Sequence, residues 1–373
     1  MINNFTTLFT NNIFAFITGI ICFINMASPV HEGTSSSSPL SSRDIDITKE
    51  KLTVTIGKDF DKAEFSAEYY INTSQEGMQI PLMFIAKDIN GKFNVTCDGI
   101  IASVKEIPPG YYRTSDSLFK NFSDFIKNSG DNESSEDIIL QWSKDTYRNY
   151  RFSDLRYFEV NLSKGNHIIK AEYTANAWSD RSDWVKQYSF RYSLAPAEFW
   201  KSFQNLEIVI DARNFGKNVT ANIGIPHLGS LDSVAAWNFS SVPAELLQIN
   251  YTPETSFAAK VMMYITPVEI SAAAGILLFA FHFAVIYYFR KKNPSKKNFL
   301  IIISGSIIIP LLILLVYLFS YEFTDFLIGA DAGKYHGYTI LIMFLYPVMI
   351  PVHYFLMWLF VRMFIKKPES VSL

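Results

Sequence analysis

The sequence predicts an all-β extracytoplasmic region, built as an antiparallel β-sandwich or as two such sandwiches in tandem, followed by a three-helix transmembrane bundle. Three observations lead to this fold class. Long apolar runs follow residue 264, apolar and polar residues alternate with a period of two before it, and a basic segment separates the first two apolar runs.

The apolar runs cover residues 267–289, 299–319 and 338–361. At about 1.5 Å per helical residue, each run is long enough to cross a hydrocarbon layer roughly 30 Å thick. Hydrophobic residues make up 49% of the chain and charged residues only 18%, with the apolar excess concentrated in these runs. This distribution predicts an integral membrane protein that is in contact with the lipid bilayer.

Charge predicts the orientation of the helices. Five basic side chains lie in residues 290–298, and Lys and Arg collect in cytoplasmic loops, so this segment is predicted to be a basic cytoplasmic loop. Residues 362–373 carry three more basic side chains and are predicted to be a cytoplasmic tail. The acidic segment 320–337 is then an outer loop, and the N-terminal domain lies outside the cell.

The N-terminus is predicted to direct export. Within residues 1–27, the apolar run 13–24 is too short to span a bilayer but suits the core of a signal peptide. No Lys or Arg precedes this run, so an uncleaved anchor remains the alternative. Residues 28–49 are rich in Ser and weakly charged, and we expect them to be a linker.

Residues 50–258 show the pattern of strands. The stretch KAEFSAEYYI begins at Lys62 and places Ala63, Phe65 and Tyr69 on one face and Glu64 on the other. Similar runs, separated by Gly, Pro and Asn, recur along the region and predict an antiparallel sandwich. The region is long for one sandwich and short for two, so both arrangements stay open.

The numbers of cysteines and charged residues indicate where the protein is located and which partners it binds. The chain has two cysteines, and only Cys97 lies beyond the predicted signal peptide, so no intrachain disulfide is expected. Exported eukaryotic domains of this size more often carry disulfides, which favours a bacterial cytoplasmic membrane. Residues 28–264 hold 24 Lys and Arg against 30 Asp and Glu, a balance that does not predict a nucleic-acid partner.

The predicted outer region contains Asn-x-Ser/Thr triplets, the acceptor pattern for N-glycosylation. The alternative is an Asn-, Ser- and Thr-rich composition that carries no glycan. Either way these positions are expected to be exposed. The eight asparagines are Asn72, Asn94, Asn121, Asn132, Asn161, Asn218, Asn238 and Asn250.

Two histidines lie inside predicted spans. His282 precedes Arg290 by eight residues and His353 precedes Arg362 by nine, so the two imidazoles are predicted to lie at a similar depth. They are candidates for binding a cofactor, because ionisable groups within a membrane often mark functional sites. The alternative is a pair of neutral imidazoles that hold the bundle together. Two histidines alone complete no common metal site, so no metal and no cofactor is predicted.

The segment WSDRSDW, residues 178–184, is the candidate ligand-binding segment of the outer region. Its aromatic and acidic side chains, Trp178, Asp180, Asp183 and Trp184, could bind a sugar or a cation. The alternative is a connection between strands whose aromatic residues pack and bind nothing.

Motifs typical of enzymes are absent from the sequence: it has no GxSxG, HExxH, P-loop or GxGxxG pattern, and no catalytic residue is predicted. We therefore expect a membrane-anchored binding or interaction protein whose β-sandwich recognises an envelope or extracellular partner. The first alternative is an accessory subunit of a transport or secretion complex. The second is an intramembrane redox or metal enzyme that uses His282 and His353.

Overall fold

The computed structural model describes residues 33–89, 91–107, 122, 126–128, 137–141, 147–292 and 299–364. The predicted signal peptide and linker residues 28–32 lie outside the described residues. The chain divides into two compact units. The described residues within 33–180 and 187–252 form the β unit, and those within 181–186 and 253–364 form the helical unit.

The described residues form 22 strands and four α-helices. The strands are β1 (Ser35–Ser37), β2 (Leu40–Ser41), β3 (Ile45–Ile56), β4 (Lys62–Thr73), β5 (Gly77–Gln79), β6 (Leu82–Lys87), β7 (Asn94–Cys97), β8 (Ile100–Ala102), β9 (Val104–Glu106), β10 (Ile126–Asn128), β11 (Asp137–Gln141), β12 (Tyr147–Arg151), β13 (Leu155–Phe158), β14 (Val160–Leu162), β15 (Gly165–Asn176), β16 (Trp178–Asp180), β17 (Gln187–Ser193), β18 (Asn205–Asp211), β19 (Thr220–Ala221), β20 (Leu228–Gly229), β21 (Val234–Phe239) and β22 (Leu246–Tyr251). The helices are α1 (Phe257–Tyr264), α2 (Pro267–Lys292), α3 (Phe299–Ile328) and α4 (Tyr346–Phe364).

Two large sheets make up most of the β unit. One has the order β20-β21-β18-β3-β4-β15-β7-β8. The other has the order β19-β22-β17-β1-β6-β13-β9, with β16 beside β17 and β2 beside β6. Both sheets combine strands from the two halves of the region, which two consecutive domains would not do.

The sheets are mostly antiparallel, but β1 pairs with β17 and β3 pairs with β18 in parallel. The expectation of a purely antiparallel region is therefore wrong at these two places. Hairpins impose antiparallel pairing on neighbouring strands, whereas strands joined by long connections can pair in either direction. Each of these two pairs joins strands that are far apart in the sequence.

The predicted alternation in β4 is confirmed. Ala63, Phe65 and Tyr69 are buried, and Glu64 is exposed. One core contains side chains from both large sheets, and Phe65 of β4 stacks on Tyr192 of β17 with ring centroids 6.1 Å apart. Burying one such side chain stabilises the fold by about 1.5–3 kcal/mol.

The predicted linker is wrong for residues 33–49, because they form β1, β2 and the first part of β3. Ser36, Ser37 and Ser38 are buried, and the Ser38 amide donates a 2.8 Å hydrogen bond to the carbonyl of Ser193. Composition measures how much apolar surface a segment can bury, whereas these small side chains are held by backbone pairing to neighbouring strands.

The helical unit contains three helical stretches that are long and apolar enough to span a membrane, at residues 267–292, 299–331 and 337–363, which supports a membrane protein. The predicted spans start at or near these stretches, but all three end too early. The basic residues up to Lys292 belong to the last turn of α2, where cations interact favourably with the helix dipole.

Three further boundaries differ from the prediction. The outer loop was expected from residue 320, but α3 continues to Ile328 because charged side chains end an apolar run without ending its backbone hydrogen bonding. The third span begins as a 3₁₀ helix, Gly337–Leu345, before α4. The β unit ends at residue 252, and the short helix α1 follows it.

We predict that a fragment of residues 33–252 folds alone, whereas one of residues 50–252 does not. The shorter fragment lacks β1, β2 and buried Leu40, Ile45 and Ile47. Losing three buried aliphatic side chains costs roughly 5 kcal/mol or more, comparable with the whole stability of a typical domain. Circular dichroism and thermal melts of both fragments, with and without reductant, measure this. Equal stability of the two fragments would contradict the role given to residues 33–49.

Candidate functional site

The two histidines of the helical unit meet. Nδ1 of His282, on α2, lies 3.1 Å from Nε2 of His353, on α4, and both side chains are buried. The rings are nearly parallel, with centroids 5.3 Å apart. The ring of Phe279 packs edge-on against that of His353, with centroids 5.5 Å apart.

The contacts define which nitrogen donates. Nε2 of His282 lies 3.1 Å from the carbonyl oxygen of Ile301, and a carbonyl only accepts, so this nitrogen carries a hydrogen. In a neutral His282 the other nitrogen, Nδ1, is then an acceptor. His353 therefore donates from Nε2 to His282, which donates to Ile301.

Gly305 makes this arrangement possible. A Cβ atom at this position would clash with Nε2, Cε1 and Cδ2 of the His282 ring. The absence of a side chain on α3 lets the imidazole reach the backbone carbonyl one turn earlier, at Ile301. Close approach of helices at small residues is typical of membrane bundles.

The geometry of the pair favours packing over cofactor chemistry. The donor chain ends at a backbone carbonyl, which cannot accept a proton, and in the described part of the chain no third His, Cys, Asp or Glu joins the two imidazoles as a potential ligand. Both features support the interpretation that the pair joins α2 to α3 and α4.

The residues of WSDRSDW divide between the two units. In the β unit, Nε1 of Trp178 donates to the carbonyl of Thr34 at 2.9 Å, and the Arg191 guanidinium lies 4.9 Å from the centroid of the Trp178 ring. Burial lowers the pKa of Arg191, and the nearby Asp180 opposes this effect. These contacts pack the Trp178 ring within the β unit, and ligand binding by Trp178 and Asp180 stays a prediction.

Asp183 and Trp184 belong to the helical unit. Asp183 accepts a hydrogen bond from the Trp184 amide at 2.7 Å. The Trp184 ring stacks on Tyr321 of α3 with centroids 5.5 Å apart and lies 5.1 Å from the centroid of His336. Nε2 of His336 lies 3.1 Å from Oδ1 of Asp325. The sequence does not predict this cluster, because its members come from three separate segments.

A carboxylate lies in the core of the β unit. Oε1 of Glu50 accepts a 2.6 Å hydrogen bond from the hydroxyl of Tyr192, and Oε2 accepts one of 3.0 Å from Ser38. The Tyr69 hydroxyl lies 2.8 Å from that of Tyr192 and donates to it, because the hydrogen of Tyr192 is already committed to Glu50. The sequence does contain a signal: Glu50 falls on the same face as Leu52 and Val54 of β3.

Glu50 is fully buried, and this burial raises its pKa from 4.5 to about 7. The hydrogen bonds from Tyr192 and Ser38, with the nearby hydroxyl of Tyr69, stabilise the ionised form and lower the pKa, but they do not outweigh the burial. Glu50 therefore has a pKa near neutral pH. Its hydrogen-bond partners among the described residues are neutral hydroxyl groups, so no cation there offsets the effect of burial.

A second group of polar side chains lies where the hairpin of β7 and β8 meets β15. Nδ1 of His167 lies 2.6 Å from Oδ2 of Asp98, and its Nε2 lies 2.9 Å from the carbonyl of Ser163. The hydrogen bond to Asp98 raises the pKa of His167. Partial burial disfavours an ionised Asp98, but hydrogen bonds from His167 and the Ile168 amide lower its pKa overall. Burial raises the pKa of the adjacent Cys97 thiol to about 11.

The β unit also has a polar cavity of about 320 Å³. Both cationic and anionic side chains line it, together with neutral polar groups. Its lining residues are Lys87, Asp88, Asn149, Tyr150, Arg151, Ser153 and Asp154. The cavity was not predicted, because its two edges come from segments about 60 residues apart.

Six of the predicted glycosylation positions lie in the described residues. Asn72, Asn94, Asn161, Asn218 and Asn238 are exposed. Asn250 is half-buried. Asn121 and Asn132 lie outside the described residues. Five of the six side chains are thus exposed, as expected for triplets at surface positions, Asn250 is not, and glycosylation itself stays a prediction.

No protein-family model and no curated protein matches the chain. Among solved structures, the chain is similar to a "putative nutrient binding protein" from Legionella pneumophila. The two share 12% identity, the match covers 62% of this chain and 73% of that chain, and the TM-score is 0.38. Leukotriene A4 hydrolase from Saccharomyces cerevisiae has 10% identity, coverage of 59% and 31%, and a TM-score of 0.33.

An M1 zinc metallopeptidase from Deinococcus radiodurans has 8% identity, coverage of 57% and 43%, and a TM-score of 0.23. The chain thus spans less than half the length of either enzyme. Because all three TM-scores are low and the identities are at most 12%, these similarities carry no argument about function.

We predict that Glu50→Gln changes how the stability of the protein depends on pH. Because folding raises the pKa of Glu50 from 4.5 to about 7, the folded state holds this proton more tightly than the unfolded state. The free energy of unfolding therefore falls as pH rises from about 4.5 to 7, by up to about 3 kcal/mol from this group. Thermal melts at pH 5 and pH 8 measure the difference.

The control is Glu64→Gln, which removes an exposed carboxylate of the neighbouring strand β4. It should keep the pH dependence of the wild type, whereas Glu50→Gln should flatten it. A Glu50→Gln variant that loses as much stability as the wild type between pH 5 and pH 8 would contradict the titration assigned to the buried carboxylate.

We predict that His282→Gln destabilises the helical unit more than His353→Gln does, because His282 contacts both Ile301 and His353. Each loss is expected to be on the order of 1 kcal/mol, as for other hydrogen bonds between membrane helices. The double variant should cost less than the sum, since one bond is lost only once. Unfolding in detergent measures all three. Full loss of function in each single variant, together with loss of a bound metal or haem, would instead indicate a shared cofactor site.

Proposed function

We propose that the protein is a membrane-anchored binding protein. Its β unit, arranged as a sandwich, recognises an envelope or extracellular partner, and its three long helices anchor the chain in a membrane. The observation that supports recognition of a partner by the β unit is its cavity, whose lining includes Lys87, Asp88, Arg151 and Asp154. Its volume is comparable with that of small ligand sites, and charges of both signs suit a polar partner group.

The distribution of charge supports the orientation we propose. Three cations end α2, and Arg362 lies in the last turn of α4, so basic residues gather at one end of these two helices. This end lies in the cytoplasm under the positive-inside rule. The β unit then lies outside, consistent with five exposed Asn-x-Ser/Thr asparagines and with an unpaired, buried Cys97. A bacterial cytoplasmic membrane remains the favoured location.

The alternative is an accessory subunit of a transport or secretion complex, in which the helices bind the partner. Ile276, Leu277 and Phe281 of α2 favour it, because their side chains are 71%, 71% and 66% exposed. Lipid also covers such a surface, so these residues fit both functions. The third function, an intramembrane redox or metal enzyme, receives no support from the geometry of the histidine pair.

The proposal is tested with the full-length protein in intact cells. We expect a membrane-impermeant, amine-reactive crosslinker to join the wild type to a defined partner, because the β unit faces outward. Arg151→Glu should reduce this product at least about tenfold by reversing a charge of the cavity. Lys58→Glu, a charge reversal at an exposed position of the same unit, should leave it unchanged. Mass spectrometry identifies the crosslinked product.

The same experiment separates the alternative. Leu277→Ala combined with Phe281→Ala should leave the crosslinked product unchanged if the β unit recognises the partner. Loss of the product in this double variant, with retention in Arg151→Glu, would favour the accessory-subunit function. Absence of any product from the wild type would contradict an outward-facing binding protein.

A further inference from the structure

Cys97, Asp98 and His167 form the one group of three potential metal ligands found among the described residues. Sγ of Cys97, a carboxylate oxygen of Asp98 and a ring nitrogen of His167 all lie within 4.8 Å of one another. Cys97 is the last residue of β7, and the next two residues turn the chain into β8. Strand β15 pairs with β7, placing Ile169 opposite Cys97 and His167 two residues further along β15.

The turn directs the carboxylate towards the other two side chains. Asp98 has φ +49° and Gly99 has φ +79°, the left-handed conformations that a tight hairpin turn requires. The amide of Asp98 donates to the carbonyl of Ile168 at 2.9 Å, and Oδ1 accepts from the Ile168 amide at 2.9 Å. The second oxygen, Oδ2, remains directed at His167.

The imidazole is oriented as metal-binding histidines usually are. Its Nε2 lies 2.9 Å from the carbonyl of Ser163, so Nε2 carries a hydrogen and the ring is fixed by a backbone acceptor. Its Nδ1 faces Asp98, and a nitrogen of the same ring lies within 4.8 Å of the Cys97 thiol. Histidine ligands typically donate their other ring hydrogen to a carbonyl or carboxylate, and this contact is already in place here.

We propose that Sγ of Cys97, Oδ2 of Asp98 and Nδ1 of His167 bind a divalent transition-metal ion, with Zn²⁺ as the expected occupant. A set of one sulfur, one nitrogen and one oxygen ligand selects borderline ions such as Zn²⁺ over Ca²⁺ and Mg²⁺, which prefer oxygen alone. This site goes beyond the proposed function and does not depend on it.

The distances allow binding with small movements. Ligand atoms around a tetrahedral Zn²⁺ lie roughly 3.3 to 3.7 Å apart. Nδ1 and Oδ2, now 2.6 Å apart, must separate by about 1 Å, and the thiol must approach by at most a similar amount. The side chain of Asp98 is 48% exposed, so it has room to rotate.

Binding exchanges protons for the metal. The ion takes the place of the hydrogen between Nδ1 and Oδ2, and the thiol loses its hydrogen, so both protons pass to solvent. Three protein ligands leave a fourth tetrahedral position, which a water molecule fills from the exposed side of Asp98. Neither a redox change nor any co-reactant is involved.

The test uses full-length protein purified in detergent without a histidine tag and stripped of metal by a chelator. Elemental analysis after gel filtration counts bound Zn²⁺. Absorbance reports on Co²⁺, because a thiolate ligand gives this ion a near-ultraviolet charge-transfer band that oxygen and nitrogen ligands do not. We expect one ion per chain and the sulfur band in the wild type. The control variant His227→Gln should behave in the same way.

Cys97→Ala should abolish the band, and Asp98→Asn and His167→Gln should each weaken Co²⁺ binding at least about tenfold. Added Zn²⁺ should raise the Tm of the wild type but not that of Cys97→Ala. Asp98→Asn keeps the acceptor for the Ile168 amide, which makes it the variant expected to fold even if Cys97→Ala does not. Absence of stoichiometric Zn²⁺, Co²⁺ binding without the sulfur band, or a band that survives Cys97→Ala would overturn the proposal.

Discussion

Burying a polar group costs free energy unless the group finds a hydrogen-bond partner, and this constraint shapes both units of the protein. In the β unit, the buried carboxylate of Glu50 accepts hydrogen bonds from Ser38 and Tyr192. Ser38 is 12 residues from Glu50 in the sequence, whereas Tyr192 is 142 residues away. Tyr69 extends the network from the neighbouring strand. A core built of aromatic side chains from two sheets thus contains a polar centre whose members come from β3, β4, β17 and the segment between β1 and β2. The serine-rich segment is ordered for the same reason, since its backbone pairs with neighbouring strands.

The same constraint acts between the helices. His282 cannot leave its two ring nitrogens without partners in an apolar bundle, and Ile301 and His353 supply them. Gly305 provides the space. A hydrogen-bonded pair with a fixed direction of donation joins helices well, but it offers neither an exchangeable proton acceptor at its end nor a third ligand. This is why the binding functions of the protein are proposed for the β unit.

Cys97, Asp98 and His167 satisfy the constraint differently. His167 and Asp98 are hydrogen-bonded to each other through a hydrogen that a metal ion could replace, and the thiol of Cys97 lies beside them. The Glu50 network is sealed inside the core, whereas Asp98 opens to solvent. Exchange with an ion in solution is therefore possible at the hairpin of β7 and β8, and it is not possible at Glu50.

The sequence predicts the strand-rich region, the three apolar helices and the buried face of β4, because hydropathy and its period are local properties of the chain. It also placed His282 and His353 at similar depths, since helical rise is regular. It could not predict that Ser36 to Ser38 are buried, where α3 ends, or which strands pair in parallel. These features follow from the folded arrangement of the chain, as do the partners of Glu50 and the contact of Asp98 with His167, which are 69 residues apart. Such contacts depend on pairing between distant strands, and pairing is set by how all the buried faces fit together rather than by any one segment.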